Sequence, residues 1–207
     1  MEKKINDFIK DLQNNKKNVK NFPELLNLSN NFSRHIDLSD IDGEIADTLE
    51  TIIKFWNKAD DEQGLAQKDR EPIKIYINSP GGSLHAAFTI IDAINLSKTP
   101  VYTINMGTAY SAGLLIFING HRRIAYPHSS FLFHEGSISM GAADAGKFRN
   151  YADFYNRQLN VIKNIMIEKT KISEEEYEKI KKDDSWFLID EALELGLCDE
   201  IAKEFIY

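Results

Sequence analysis

One cysteine, Cys198, stands in 207 residues, so no internal disulfide can staple this chain. Its rarity fits a reducing compartment, and a chain of this length buries a sizeable core without disulfides or metals. Positive charge is also short: 25 Lys and Arg face 32 Asp and Glu, a net charge of −7. That balance argues against a nucleic-acid or anionic-membrane surface. No apolar run approaches the roughly 18 residues of a spanning helix. The opening Met1-Glu-Lys-Lys-Ile-Asn-Asp has no apolar signal-peptide core, so a cytoplasmic protein is expected. No His, Cys and Asp cluster has metal-ligand spacing, and no metal site is expected. Repeats and low-complexity stretches are missing too. What remains, 43% apolar and 28% charged, is ordinary for one globular α/β domain.

Within that plain composition one stretch carries chemistry, Gly107-Thr-Ala-Tyr-Ser111-Ala-Gly113, followed by the apolar run Leu114–Ile118. A serine at a tight strand-to-helix turn has an exposed hydroxyl and forward-pointing backbone N–H groups. The helix start adds partial positive charge where an oxyanion would form. The same residues also read as a small-residue turn where two elements pack closely. Other segments must decide between these readings.

The chain has two parts in this reading. Residues 1–33 form a polar, Lys- and Asn-rich arm or tail, with one amphipathic pattern at Ile5, Phe8, Ile9 and Leu12. Residues 34–207 form the main domain. His35–Leu38 reads as a strand, Ser39–Gly43 as a capping turn, and Ile45 to about Asn57 as a helix. Residues 58–71 are charged and unpatterned, which predicts an exposed loop. Ile73–Ile77 is a strand, and Asn78-Ser-Pro-Gly81-Gly82-Ser83 is a glycine loop before a helix through Ile94. Two glycines there bring backbone N–H groups close to negative charge. A phosphate loop would end in Gly-Lys-Ser/Thr, and this one does not. An oxyanion hole needs the same geometry.

Strands at 100–105, 123–126 and 130–134 follow, the first leading into the serine turn. Their alternation with helices predicts right-handed crossovers and helices layered on a mostly parallel sheet. Gly82, Ser111 and His134 then converge at strand ends. After a glycine-spaced stretch from Glu135 to Ala143, Phe148, Tyr151, Tyr155, Leu159, Ile162 and Met166 mark one face of a helix over 144–169. At 1.5 Å per residue it is about 37 Å long, enough to project toward another subunit. A Ser173-capped helix and a helix over 190–195 closed by Gly196 complete the chain.

A serine needs a base. Of five histidines only His134 sits at the end of an apolar strand beside a glycine, where a side chain can be buried yet face a cleft. The imidazole in turn needs an orienting carboxylate. Asp183 and Asp184 both precede the anchor Trp186-Phe187, and residue physics does not separate them.

Taken in this order, the segments resemble the ClpP family, the proteolytic subunit of the ATP-dependent caseinolytic protease, within the crotonase-like fold. Ile75-Tyr-Ile-Asn-Ser-Pro-Gly-Gly82 is similar to the family's strand and oxyanion loop. Gly107–Gly113 is similar to its G-x-A-x-S-M-G turn, and Phe131-Leu-Phe-His134 to its histidine strand. Asp184-Ser-Trp-Phe-Leu-Ile-Asp-Glu-Ala-Leu-Glu-Leu-Gly-Leu-Cys-Asp199 is similar to its acid-bearing segment, which places the acid on Asp184. The resemblance spans about 34–202. It implies an α/β fold of stacked ββα units, with a protruding strand–helix handle and ring oligomerisation. It also implies Ser111 as nucleophile, His134 as general base and acid, Asp184 as orienting acid, and backbone N–H groups of Gly82 and Ala112 as the oxyanion hole. The function expected is a serine endopeptidase hydrolysing unfolded proteins and peptides inside a homo-oligomer of stacked heptameric rings. No cofactor is expected on this chain; a AAA+ unfoldase partner would use the ATP.

The departures are Ala112 for methionine, Glu135-Gly136 for Gln-Pro, the long 58–71 segment and the unmatched 1–33. They resemble a divergent or phage-type relative. Two alternatives stand beside the peptidase: an idle scaffold of the same fold, and a crotonase-like acyl-CoA enzyme using the same oxyanion hole.

Overall fold

In the computed structural model, residues 34–137 and 144–206 are described. The arm or tail expected at 1–33 and the glycine-bearing residues 138–143 lie outside the described residues. Period-two apolar residues make the strands. In β2 (Ile73–Gly82), Ile73, Ile75 and Ile77 are buried in the main core, whereas Tyr76 joins Ile104 and Ile124 in a second, smaller cluster. Successive side chains of a strand point to opposite faces, so the sheet is apolar on both sides, as buried parallel sheets are.

β1 (His35–Ile41), β2, β3 (Val101–Tyr110), β4 (Arg122–Ala125) and β7 (Glu200–Ile201) pair in that order, all parallel. β5 (Ser130–Phe133) adds to β3 in parallel, and β6 (Ser185–Leu188) adds antiparallel to β5. The expected α/β layering is what forms. Helices α1 (Gly43–Glu62), α2 (Leu84–Leu96) and α3 (Ala112–Ile118) follow β1, β2 and β3. α4 (Ala145–Lys169), α5 (Glu174–Ile180) and α6 (Ile189–Glu194) come later in the chain. Capping starts them as the sequence indicates: Asp42 accepts the Ile45 N–H at 2.9 Å, and Ser173 accepts the Glu176 N–H at 3.1 Å. Gly196 closes α6 at φ 69°.

Three expectations are corrected. The Ser39–Gly43 turn is strand as far as Ile41, because Asp40 and Ile41 pair with Gly81 and Gly82. The glycine loop is therefore itself strand, after a register shift between Ile77 and Ser79. The 58–71 loop is the third. α1 runs on to Glu62 and a 3-10 turn follows at Gln67–Asp69. Charge pairing explains it. Asp60 is fully buried and accepts from Arg34 Nη1 at 3.0 Å and from Thr99 Oγ1 at 2.6 Å. Buried Arg70 donates to the Leu65 carbonyl at 3.1 Å and pairs with Asp61. Arg34 also lies 4.2 Å over the Trp56 ring. Buried charges that satisfy one another leave no apolar periodicity to read.

The long helix α4 matches its expected bounds, with Asp144 as cap. Only Ile162 and Met166 of it are buried, while Phe148 and Phe154 are 55% and 40% exposed. Its C-terminal half packs on the core and its N-terminal half keeps an apolar surface open.

Candidate active site

β3 organises the site by serving two neighbours on the edge away from β2. Its first half, Tyr102–Asn105, pairs with β4; its second half, Thr108–Tyr110, pairs with β5. Ser111 follows at once, at φ 54° and ψ −120°. Among the described residues it is the one non-glycine with positive φ. Such backbone costs on the order of 1–3 kcal/mol and persists only where its surroundings over-determine it. The surroundings here are α3, every residue of which is buried. Burying Leu114, Leu115, Ile116, Phe117 and Ile118 at about 1.5–3 kcal/mol each outweighs the strain several-fold. The Ser111 N–H also donates to the Leu132 carbonyl at 2.9 Å, tying the turn to β5.

That tie sets the rest. Two residues beyond Leu132 the chain reaches His134, whose Nε2 lies 2.6 Å from Ser111 Oγ. The antiparallel pair Phe133 and Ser185 then puts Asp184 opposite His134, and its Oδ1 is 3.4 Å from Nδ1. With the ring proton on Nδ1 facing Asp184, Nε2 accepts the serine O–H. The carboxylate left open in the sequence is thus placed by β5–β6 register, and it is Asp184 that faces the ring. Its side chain is 58% exposed.

A cleft of about 440 Å³ opens beside Ser111, lined by Gly82, Ala112 and His134 and, from α4, by Tyr151 and Tyr155. The Gly81 N–H donates to Ser79 Oγ at 3.1 Å. Ala112 is the first residue of α3, where backbone N–H groups have no partner within the helix. A backbone so arranged can accept negative charge developing on a bound carbonyl.

Glu135, which the sequence sets beside the histidine, is held by two phenols. The Tyr155 hydroxyl donates to its carbonyl at 2.6 Å and the Tyr177 hydroxyl to its carboxylate at 3.4 Å. Burial, and after it the nearby Glu135 charge, raises both phenols above the ordinary tyrosine range, so both stay O–H donors. The remaining histidines lie elsewhere or serve other contacts. His121 Nδ1 accepts the Val101 N–H at 2.8 Å, and His85 on the cleft rim meets Gln158 at 3.3 Å.

Two residues escape the sequence reading. Gly81 rather than Gly82 is the glycine packed against Ser111. Tyr110 has no role legible from its own segment, yet it contacts both strands that flank the site. An aromatic beside the serine of a small-residue turn was the available signal.

Comparison with known proteins bears on this geometry. The Clp protease family model matches residues 63–205. The ATP-dependent Clp protease proteolytic subunit of Streptococcus sanguinis is 34% identical over 144 residues, covering 67% of this chain and 72% of that protein. Proteolytic subunit 2 of Thermobifida fusca is 37% identical over 144 residues, 66% of this chain and 68% of that protein. The corresponding subunit 2 of Corynebacterium efficiens is 32% identical over 173 residues, 77% and 86% of the two chains.

Proposed function

We propose, from the premise that this chain belongs to the Clp protease family and is a serine endopeptidase of that kind, that peptide hydrolysis runs through Ser111, His134 and Asp184. The 2.6 Å approach of Ser111 Oγ to His134 Nε2 is the observation that carries the reading.

His134 takes the serine proton as Oγ attacks the scissile carbonyl. Asp184 orients the ring and stabilises the imidazolium that forms. The carbonyl oxygen, now anionic, lies against the backbone N–H groups of Gly82 and Ala112. His134 then returns its proton to the departing amine. A water, deprotonated by the same ring, hydrolyses the acyl-serine and regenerates the free hydroxyl. Nothing in this cycle calls for a cofactor on this chain. An idle scaffold or an acyl-CoA enzyme has no use for a serine held in strained backbone against a histidine, and neither alternative is favoured.

The substrates are unfolded chains and peptides, admitted to the chamber of stacked heptameric rings and fed by an ATP-driven AAA+ unfoldase. The curated relatives carry "ATP-dependent" and "proteolytic subunit" in their names, which supports this assignment. The exposed Phe148 and Phe154 on the N-terminal half of α4 supply an apolar surface suited to contact between subunits. Among the described residues no helix is long and apolar enough to cross a membrane.

The test is Ser111→Ala. Loss of a triad serine costs on the order of a millionfold in turnover, so cleavage of a fluorogenic peptide is expected to vanish while native mass is unchanged. Fluorophosphonate labelling should map to Ser111 in the parent and disappear in the variant. Undiminished cleavage by Ser111→Ala would refute the assignment.

A further inference from the structure

Tyr110, the residue before the serine, touches both strands that bring the other two groups to the site. Its hydroxyl is 2.8 Å from Ser130 Oγ, on the strand that ends one residue before His134. Its ring meets Trp186 edge to face, at 5.2 Å between centroids and 82° between planes. Trp186 lies two positions beyond Asp184 on β6. Register puts Tyr110, Leu132 and Trp186 in one row across β3, β5 and β6, so the two aromatic rings meet over the intervening strand.

β6 has need of such a contact. Among the described residues it pairs with β5 alone, and Trp186 and Leu188 are 56% and 67% exposed. Besides that pairing it is anchored by buried Phe187 and by the Ser185 hydroxyl on the Ile180 carbonyl at 2.9 Å. Among the described residues the Asp184 carboxylate pairs with His134 alone. A 3.4 Å separation is longer than a good charge-assisted hydrogen bond, so a small shift of β6 decides whether the pair engages. Edge-to-face aromatic pairs resist such shifts because their attraction depends on ring geometry.

We propose that Tyr110 is a positioning residue: through Ser130 and Trp186 it fixes β5 and β6, the strands directly followed by His134 and preceded by Asp184, relative to Ser111, and so sets the serine's reactivity. The inference rests on the Ser111–His134–Asp184 reading above. It gives the alignment of the site to a residue that touches none of the reacting atoms.

The experiment compares full-length Tyr110→Phe, Tyr110→Ala, Trp186→Ala and Trp186→Phe, each also in an Asp184→Asn background. Peptide kcat and KM, the fluorophosphonate labelling rate of Ser111, native mass and melting temperature are measured. Misplacing a catalytic group by about 1 Å costs on the order of 100-fold. Trp186→Ala and Tyr110→Ala are therefore expected to lower kcat and labelling about 10- to 100-fold, with KM within about twofold. Tyr110→Phe, which loses one neutral hydrogen bond, should fall about fivefold, and Trp186→Phe should keep most of the parental rate. In the Asp184→Asn background, Trp186→Ala should lower labelling by less than about twofold, because its partner in the effect is already gone. A purely structural contribution would lower the rate equally in both backgrounds, and that result overturns the proposal. So does parental kcat in both Tyr110→Phe and Trp186→Ala, which decide the matter if Tyr110→Ala does not fold. Should Ser111→Ala itself retain cleavage, the catalytic reading fails; a dead Ser111→Ala beside parental kcat in both Tyr110→Phe and Trp186→Ala refutes only the role of Tyr110.

Discussion

Gly81 and Ser111 are so closely apposed that a Cβ built on the glycine would lie 2.9 Å from the serine Cβ and 3.0 Å from the Tyr110 carbonyl. Gly81 also has φ 110°, which side-chain-bearing residues rarely adopt. The glycine pair therefore does two jobs. Gly81 makes room for the Ser111 turn, while Gly82, at φ 151°, lets β2 pair closely with β1.

The two glycines are separable by substitution. Gly81→Ala pushes on Ser111 directly, so fluorophosphonate labelling is expected to fall about 100-fold. Backbone strain of about 1–3 kcal/mol should accompany it, a melting point lower by roughly 2–12 °C. In Gly82→Ala the new Cβ would sit 2.2 Å from the Ile41 carbonyl oxygen. That forces β1 from β2, and thermal unfolding should show a larger drop than for Gly81→Ala. Parental labelling by Gly81→Ala would contradict the close packing.

Asp183 and Asp184 are neighbours with unequal consequences. In serine peptidases with a full triad, converting the acid to its amide lowers turnover by about 10⁴-fold, because the imidazole loses the partner that fixes its tautomer. Asp184→Asn should show a loss of that order in peptide kcat. Asp183→Asn should stay within about twofold. Equal losses in steady-state assays of the two variants would mean that His134 takes its orientation from elsewhere.

Part of this arrangement is legible in the sequence and part is not. Ser111 and its turn are local, since small residues, a strand before and an apolar run after lie within a dozen positions. His134 could be singled out because it ends an apolar strand. Asp184 could not be separated from Asp183 by residue physics, since β5–β6 register is a pairing between distant segments; only family resemblance chose it. Tyr110 fails for the same reason, because its partners Ser130 and Trp186 become neighbours only when β3, β5 and β6 assemble. The 58–71 segment fails for another. Asp60 and Arg70 look solvated by type, and what buries them is each other's neighbourhood, with Arg34, Asp61 and Thr99. Hydrophobic periodicity reports apolar burial and is blind to ionic burial.

That ionic cluster makes stability depend on acid. Burial by itself would raise the Asp60 pKa, but hydrogen bonds from Arg34 and Thr99 and the charges of Arg34 and Arg70 outweigh it, and the carboxyl is held below its ordinary value. A group depressed on folding contributes stability that is complete above its unfolded pKa, about 3.9. The contribution is lost as pH falls through the lower, folded value. Urea midpoints should therefore hold near neutrality and drop once pH goes below about 4. Asp60→Ala leaves the buried Arg34 guanidinium to the Glu71 carbonyl at 2.8 Å and the exposed Glu71 carboxylate at 3.8 Å, and should cost about 3 kcal/mol at pH 7, the low end for a broken buried pair. Its midpoint should vary less with pH in the acid range, because the group that titrates is gone. A variant whose acid-limb slope matches the parent's would place the titrating carboxylates elsewhere in the fold.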